Sequence, residues 1–158
     1  MKIFLTHGYF LNLDAKELEI MKPYVPLGIL YISAFLKQQG YDVSVFDSTF
    51  SSPAEQRKKM IELKPDVIGI YCNLMTKLNV LPLIKFIKSS PELAHSKIIL
   101  GGPEPPFYAK EFLDYGADII VEGEGEQADF NWASTRFAYV DHEGEWFLTA
   151  ITHDHWCI

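Results

Sequence analysis

DVIGIYCNLMTKLNVLPLIKFIKSSPELAHSKIILGG, residues 66–102, joins two short apolar runs by a longer stretch of helical period. The runs DVIGIYC (66–72) and KIILGG (97–102) are rich in Ile and break at Cys-Asn and Gly-Gly, which reads as two buried strands. A helix is expected between them over roughly 76–90, with Pro82 as a kink or late start. Strand, helix and strand in that order make a crossover between parallel neighbours.

The same alternation extends in both directions. KIFLT (2–6), DVSVFD (42–47) and DIIVEG (118–123) read as three further strands. PLGILYISAFLKQQG (26–40) reads as a helix, with Pro26 in its first turn, apolar Ile29, Leu30, Ile32 and Leu36, and Gly40 as its stop. Ser52-Pro53-Ala54-Glu55 opens another helix with a cap residue, a proline at the first position and an acid in the first turn; Lys64-Pro65 closes it. A shorter helix over roughly 106–115 stops at Gly116. The pattern predicts an α/β fold, a five-stranded parallel sheet covered by helices. Between the first strand and its helix, residues 7–25 exceed the usual length of such a loop. They hold Tyr9, Phe10, Tyr24 and a short amphipathic piece, LDAKELEIM, and read either as a lid or as a packed excursion. After Gln127 the pattern changes: RFAYVDHEGEWFLT (136–149) alternates about His142-Glu143-Gly144 as a β-hairpin would. The expected division is a main domain over 1–127 and a linker-like hairpin and tail over 128–158.

With 158 residues, 48% of them hydrophobic and 22% charged, the chain suits one folded core. Its net charge of -7 and the absence of a Lys/Arg stripe argue against a nucleic-acid partner. No apolar run reaches membrane-spanning length and the start lacks a secretory pattern, so a cytoplasmic protein without a membrane partner is expected. Cys72, inside a strand-like run, reads as a free buried thiol. His153, His155 and Cys157 in the last residues make only a partial metal shell, and no metal site is assigned.

In a parallel open sheet, ligands sit at the carboxyl ends of the strands. Those ends carry Thr6-His7-Gly8, Asp47-Ser48, Cys72-Asn73, Gly101-Gly102-Pro103 and Gly123-Glu124-Gly125. EGEGEQA (122–128) fits the spacing of a dinucleotide turn, but it follows the fifth strand rather than the first. It would also set Glu122, Glu124 and Glu126 around a pyrophosphate. No P-loop, no G-x-S-x-G elbow and no aspartate at the end of the third strand is present, which excludes the corresponding NTPase, hydrolase and phospho-receiver chemistries. What remains is a carboxyl edge with glycine pairs in two loops and neutral side chains Asn73, Leu74, Met75 and Thr76 after the third strand. It suits a large flat ligand better than a phosphate.

PLGILYISAFLKQQGYDVSVFD, KPDVIGIYCNLMT, KIILGGPEP and ADIIVEGEGE, in this order and spacing, resemble the N-terminal cobalamin-binding domain of cobalamin-dependent radical SAM enzymes of the methyltransferase and oxidative cyclase types. The match covers roughly residues 1–127. The resemblance implies a flavodoxin-like three-layer sandwich with strand order 2-1-3-4-5, a corrin ring over the carboxyl edge, and a nucleotide tail descending beside the sheet. It implies cofactor contacts at Thr6, His7 and Gly8; at Leu27 and Gly28; at Asn73, Leu74, Met75 and Thr76; at Gly102, Pro103 and Glu104; and at Gly123, Glu124, Gly125 and Glu126. These are binding roles, with no catalytic residue. The D-x-H-x-x-G motif that gives other cobalamin domains a lower histidine ligand is absent. So is the C-x-x-x-C-x-x-C loop of a [4Fe-4S] cluster, for which two cysteines are too few. S-adenosylmethionine and the cluster would therefore belong to a downstream radical SAM barrel, in cis or in trans. Two other readings stay open: a cofactor-free partner-docking domain, and a small-molecule enzyme of flavodoxin-like fold using His7 with Glu104 or Glu124 as acid and base.

Overall fold

The computed structural model describes residues 1–23 and 25–121. Five parallel strands, β1 (Lys2–His7), β2 (Asp42–Phe46), β3 (Val67–Tyr71), β4 (Lys97–Gly101) and β5 (Ile119–Ile120), form one sheet in the order β2-β1-β3-β4-β5. The strand order agrees with the one the sequence resemblance implies. The register pairs Ile3 with Val43 on one side and Val67 on the other, and Ile68 with Ile98. All carboxyl ends therefore open on one edge. The expected hairpin over 136–149, the GEGE turn and the His153/His155/Cys157 tail lie outside the described residues.

Helices α1 (Ala15–Ile20), α2 (Leu27–Gln38), α3 (Pro53–Leu63), α4 (Lys77–Ser89) and α5 (Ala109–Asp114) fill the connections. On one face of the sheet, Phe4, Ile68, Ile70, Ile98, Leu100 and Ile120 pack against Met60 of α3, Val80, Leu83, Ile84 and Ile87 of α4, and Phe112 of α5. Each such fully buried aliphatic side chain is worth roughly 1.5–3 kcal/mol of transfer free energy, so this layer dominates stability. On the opposite face Ile3, Leu5 and Val43 meet Ile29 of α2, flanked by half-buried Leu36, Val45, Val67 and Tyr71.

The capping signal before α3 is realised in full. The Ser52 hydroxyl accepts from the Glu55 N–H at 3.2 Å, and the Glu55 carboxylate accepts from the Ser52 N–H at 3.0 Å. Hydrogen bonds from Ser51 and Ser52 hold the Glu55 carboxyl below its usual range.

Three expectations are sharpened. In α2 the buried stripe is Ile29 and Ser33 with half-buried Leu36, while Leu30 and Ile32 are exposed, because the helix meets the sheet along that stripe alone. The helix expected over 106–115 splits into a 3-10 turn, Pro105–Tyr108, and α5. Adjacent Pro105 and Pro106 lack N–H donors and fix the chain in the tighter turn. The strand expected over 118–123 begins after Asp118, whose carboxylate is taken by the Ile98 N–H at 2.8 Å, Lys88 at 2.6 Å and Lys97 at 3.1 Å.

Candidate functional site

A cavity of ≈ 260 Å³ opens at the carboxyl edge, between the end of β1, the start of α2 and the end of β3. Its walls are His7 and Tyr9, the run Val25 to Ile29, and Tyr71, Asn73 and Thr76. The lining is mostly apolar, with few polar groups, as small-molecule sites are.

His7 ends β1 and is buried, 4% exposed. Its Nδ1 accepts from the Tyr9 N–H at 3.2 Å, and its Nε2 faces both Asp47 Oδ1 at 3.0 Å and the Ser48 N–H at 3.3 Å; the Nε2-protonated tautomer is the one that serves the acceptor-only Asp47 carboxylate. The Ser48 hydroxyl donates to the His7 carbonyl at 2.8 Å. Burial lowers the His7 pKa below the usual histidine value, and the Asp47 carboxylate opposes that shift without reversing it. Burial acts upward on Asp47, and hydrogen bonds from Thr49 and His7 outweigh it, leaving that carboxyl below its ordinary value. The imidazole is thus a neutral latch between the ends of β1 and β2, with both nitrogens engaged. The same latch leaves it unsuited to the general-base role of the enzyme reading.

After β3, Asn73 and Thr76 cap each other. The Asn73 N–H donates to Thr76 Oγ1 at 2.9 Å and the Thr76 N–H donates to Asn73 Oδ1 at 3.0 Å, which closes the turn that starts α4. The turn projects Leu74, 75% exposed, and Met75 into solvent. Cys72, directly before it, is a free buried thiol whose pKa burial pushes up to about 11. It is inert at neutral pH.

After β4 the chain turns through Gly102 at φ +110, where a Cβ would strike the Cys72 carbonyl oxygen. Glu104 is buried and pairs with Lys77 Nζ at 2.9 Å. Phe107 follows, 81% exposed.

Of the residues implied by sequence, the cavity gathers His7, Leu27, Gly28, Asn73 and Thr76. Thr6 turns to the other face of the sheet, where its hydroxyl donates to the Phe46 carbonyl and accepts from Gln56. Gly8 packs on the first turn of α4, with Val80 Cγ2 3.0 Å from the position of a Cβ. Leu74, Met75, Gly102, Pro103 and Glu104 stand at the same edge without lining the cavity. Gly123, Glu124, Gly125 and Glu126 lie outside the described residues. Sequence reasoning missed Tyr71 and Ile29 as walls and Lys77 as a partner of Glu104. Tyr71 carries a signal in retrospect: it alternates with buried Ile68 and Ile70 and so points to the α2 side of the sheet.

The B12 binding domain family matches residues 19–130. The chain belongs to that family. Within the family's terms, the expectation of a cobalamin-binding domain is borne out. Over 130 residues the chain is 29% identical to hopanoid C-3 methylase from Methylococcus capsulatus, covering 80% of this chain and 24% of that protein. It thus spans about a quarter of the length of that relative. Among solved structures, a cobalamin-binding protein from Desulfitobacterium hafniense DCB-2 shares the fold at TM-score 0.55 and 19% identity, over 76% of this chain and 52% of that one. A signal receiver domain of a DNA binding response regulator from Colwellia psychrerythraea 34H does so at TM-score 0.51 and 16% identity, over 77% and 84%. These two likenesses concern the fold alone.

Gly28 tests whether the residues present fit the family's cofactor. It lies in the first turn of α2 and on the cavity wall, and a Cβ built there meets no atom within 4 Å. Neither backbone conformation nor internal packing asks for glycine at this point. A side chain there would enter open space beside the cavity, so the missing Cβ leaves room for the close approach of a bulky ligand. Exposed Leu27, Leu74, Met75 and Phe107 stand at the same edge and offer apolar surface to a large flat group. Among the described residues no group of three or more His, Cys, Asp or Glu is placed to hold a metal ion.

Proposed function

We propose that the chain is a cobalamin-binding module that presents the cofactor to a separate catalytic domain and does not turn over substrate by itself. Gly28 carries this reading, as a cavity wall left open at the carboxyl edge of a B12 binding domain. The module spans residues 1–127, and 128–158 lead onward as a linker-like segment.

When bound, cobalamin would supply a cobalt centre able to carry a methyl group. The chain's own residues bind and orient. Leu27, Gly28, Asn73 and Thr76 border the cavity, with the His7 latch fixing its floor, and the turns Leu74-Met75 and Gly102-Pro103-Glu104 offer backbone and apolar edges above it. Thr6 and Gly8 support the site from behind, and the further contacts that the family resemblance implies are Gly123, Glu124, Gly125 and Glu126. The partner is a radical SAM barrel, in cis or in trans, with S-adenosylmethionine and a [4Fe-4S] cluster, acting in methyl transfer or oxidative rearrangement. Similarity to a methylase and the family's motif order support that context. Three thiolates are needed for such a cluster and the chain has two cysteines, so the cluster belongs to the partner.

Titration with hydroxocobalamin followed by visible absorbance tests the module. A saturable spectral change at one equivalent is expected, and its absence over a hundredfold excess would discard the reading in favour of a cofactor-free docking domain.

A further inference from the structure

Three contacts tie the turn after β3 to the turn after β4. The Gly102 backbone passes against the Cys72 carbonyl, which leaves no room for a side chain, and the Glu104 N–H points to the same oxygen at 3.5 Å. The third contact is made by side chains. Lys77, first residue of α4, reaches across to Glu104 Oε1 at 2.9 Å and lies 3.1 Å from the centroid of the Tyr108 ring, with the Phe112 ring at 5.9 Å. One ammonium therefore grips a buried carboxylate and an aromatic face that belong to the same turn.

We infer that Lys77 is a positioning residue of the cofactor site. It holds the Gly102-Pro103-Glu104 turn in fixed register with the Asn73 to Thr76 turn, so that the two present one continuous wall to the ligand. This rests on the cobalamin reading. Lys77 itself does not line the cavity. Its effect is transmitted by geometry: Glu104 is only 8% exposed, and removing one partner of so buried an ion pair leaves the other uncompensated. Losing the ammonium would drive Glu104 outward to water and carry Gly102 and Pro103 with it. The ring contact goes with the ammonium, and the Gly102 passage against the Cys72 carbonyl cannot by itself oppose that movement.

The full chain is tested as Lys77→Met, Lys77→Arg and the double variant Lys77→Met/Glu104→Met, beside the wild type. Three quantities are read: hydroxocobalamin affinity by absorbance, melting temperature, and amide hydrogen exchange over 101–108 without cofactor. Lys77→Met is expected to bind at least tenfold more weakly and to exchange faster over 101–108 while the amides of β1 and β3 stay protected. Lys77→Arg, which keeps charge and ring contact, is expected within about threefold of wild type. The double variant removes the unpaired charge, so it should recover melting temperature but not affinity. Wild-type affinity in Lys77→Met, or full recovery of affinity in the double variant, would overturn the inference. Failure of the wild type to bind hydroxocobalamin would instead sink the cobalamin reading, and unchanged exchange in Lys77→Met would then refute the clamp itself.

Discussion

His7 donates from Nε2 to Asp47 Oδ1 at 3.0 Å while its Nδ1 accepts from the Tyr9 N–H, so the last residue of β1 is bound on both sides of its ring. The strand end cannot move without breaking a contact to β2 or to the long connection that follows. Proteins of this architecture place ligands where such strand ends meet, and here the imidazole serves as part of the frame.

The latch has a pH dependence with a definite sign. Burial lowers the His7 pKa in the folded chain below the unfolded value near 6.5. Between those two values the unfolded chain binds the proton and the folded one does not, so stability is complete above pH 6.5 and falls as pH drops below it. Thermal melts between pH 8 and pH 5 are expected to show this decline, with a slope of at most about 1.4 kcal/mol per pH unit from this one group. His7→Asn should flatten the decline between pH 6.5 and 5.5. An unchanged slope in that variant would assign it to another histidine.

Gln56, 1% exposed, supports the same strand end from the other face. Its Nε2 donates to Thr6 Oγ1 at 2.8 Å and to the His7 carbonyl at 2.9 Å. Gln56→Leu keeps most of the volume and removes both bonds from buried acceptors. A loss of roughly 1–3 kcal/mol in urea unfolding is expected. A variant as stable as wild type would show that water or Ser48 replaces the amide.

Much of this frame was legible in the sequence. The strand order followed from the family resemblance, and the crossovers from alternation between Ile-rich runs and helical segments. Local signals such as Ser52 with Glu55 act within one turn, so spacing alone reveals them. The parts that escaped are pairings over long sequence separations: His7 with Asp47 across 40 residues, Gln56 with Thr6 across 50, Lys77 with Glu104 across 27. Each joins residue types that are individually ordinary on a surface, and only the parallel register brings them together. The glycines show the same limit. Gly8, Gly28 and Gly102 are alike as letters, yet packing, open space and a positive φ with a close carbonyl account for them separately.

The mutual cap of Asn73 and Thr76 fixes where α4 begins. Asn73→Ala removes the side-chain acceptor of the Thr76 N–H, leaving it the Asn73 carbonyl at 3.1 Å, and should cost up to about 1 kcal/mol in thermal or urea unfolding. Asn73→Asp keeps an acceptor at the helix start and should retain most of that stability. Equal losses in the two variants would mean that the amide, rather than the cap oxygen, holds the turn.

Gly28 and Gly102 separate ligand recognition from folding within one experiment. At Gly102, φ +110 and the Cys72 carbonyl both oppose a side chain. Gly102→Ala should therefore destabilise by roughly 1–3 kcal/mol, whatever the ligand. At Gly28, alanine meets no neighbour and favours the helix, so Gly28→Ala should leave stability unchanged or raise it by up to about 1 kcal/mol. Its methyl group would stand in the open space beside the cavity, and Gly28→Val more so. Hydroxocobalamin affinity is expected to fall stepwise from Gly28 to Ala to Val while the melting temperature does not. If both variants bind as the wild type does, the cavity at the start of α2 is not on the cofactor's path, and the ligand contacts must be sought at the turns after β3 and β4 alone.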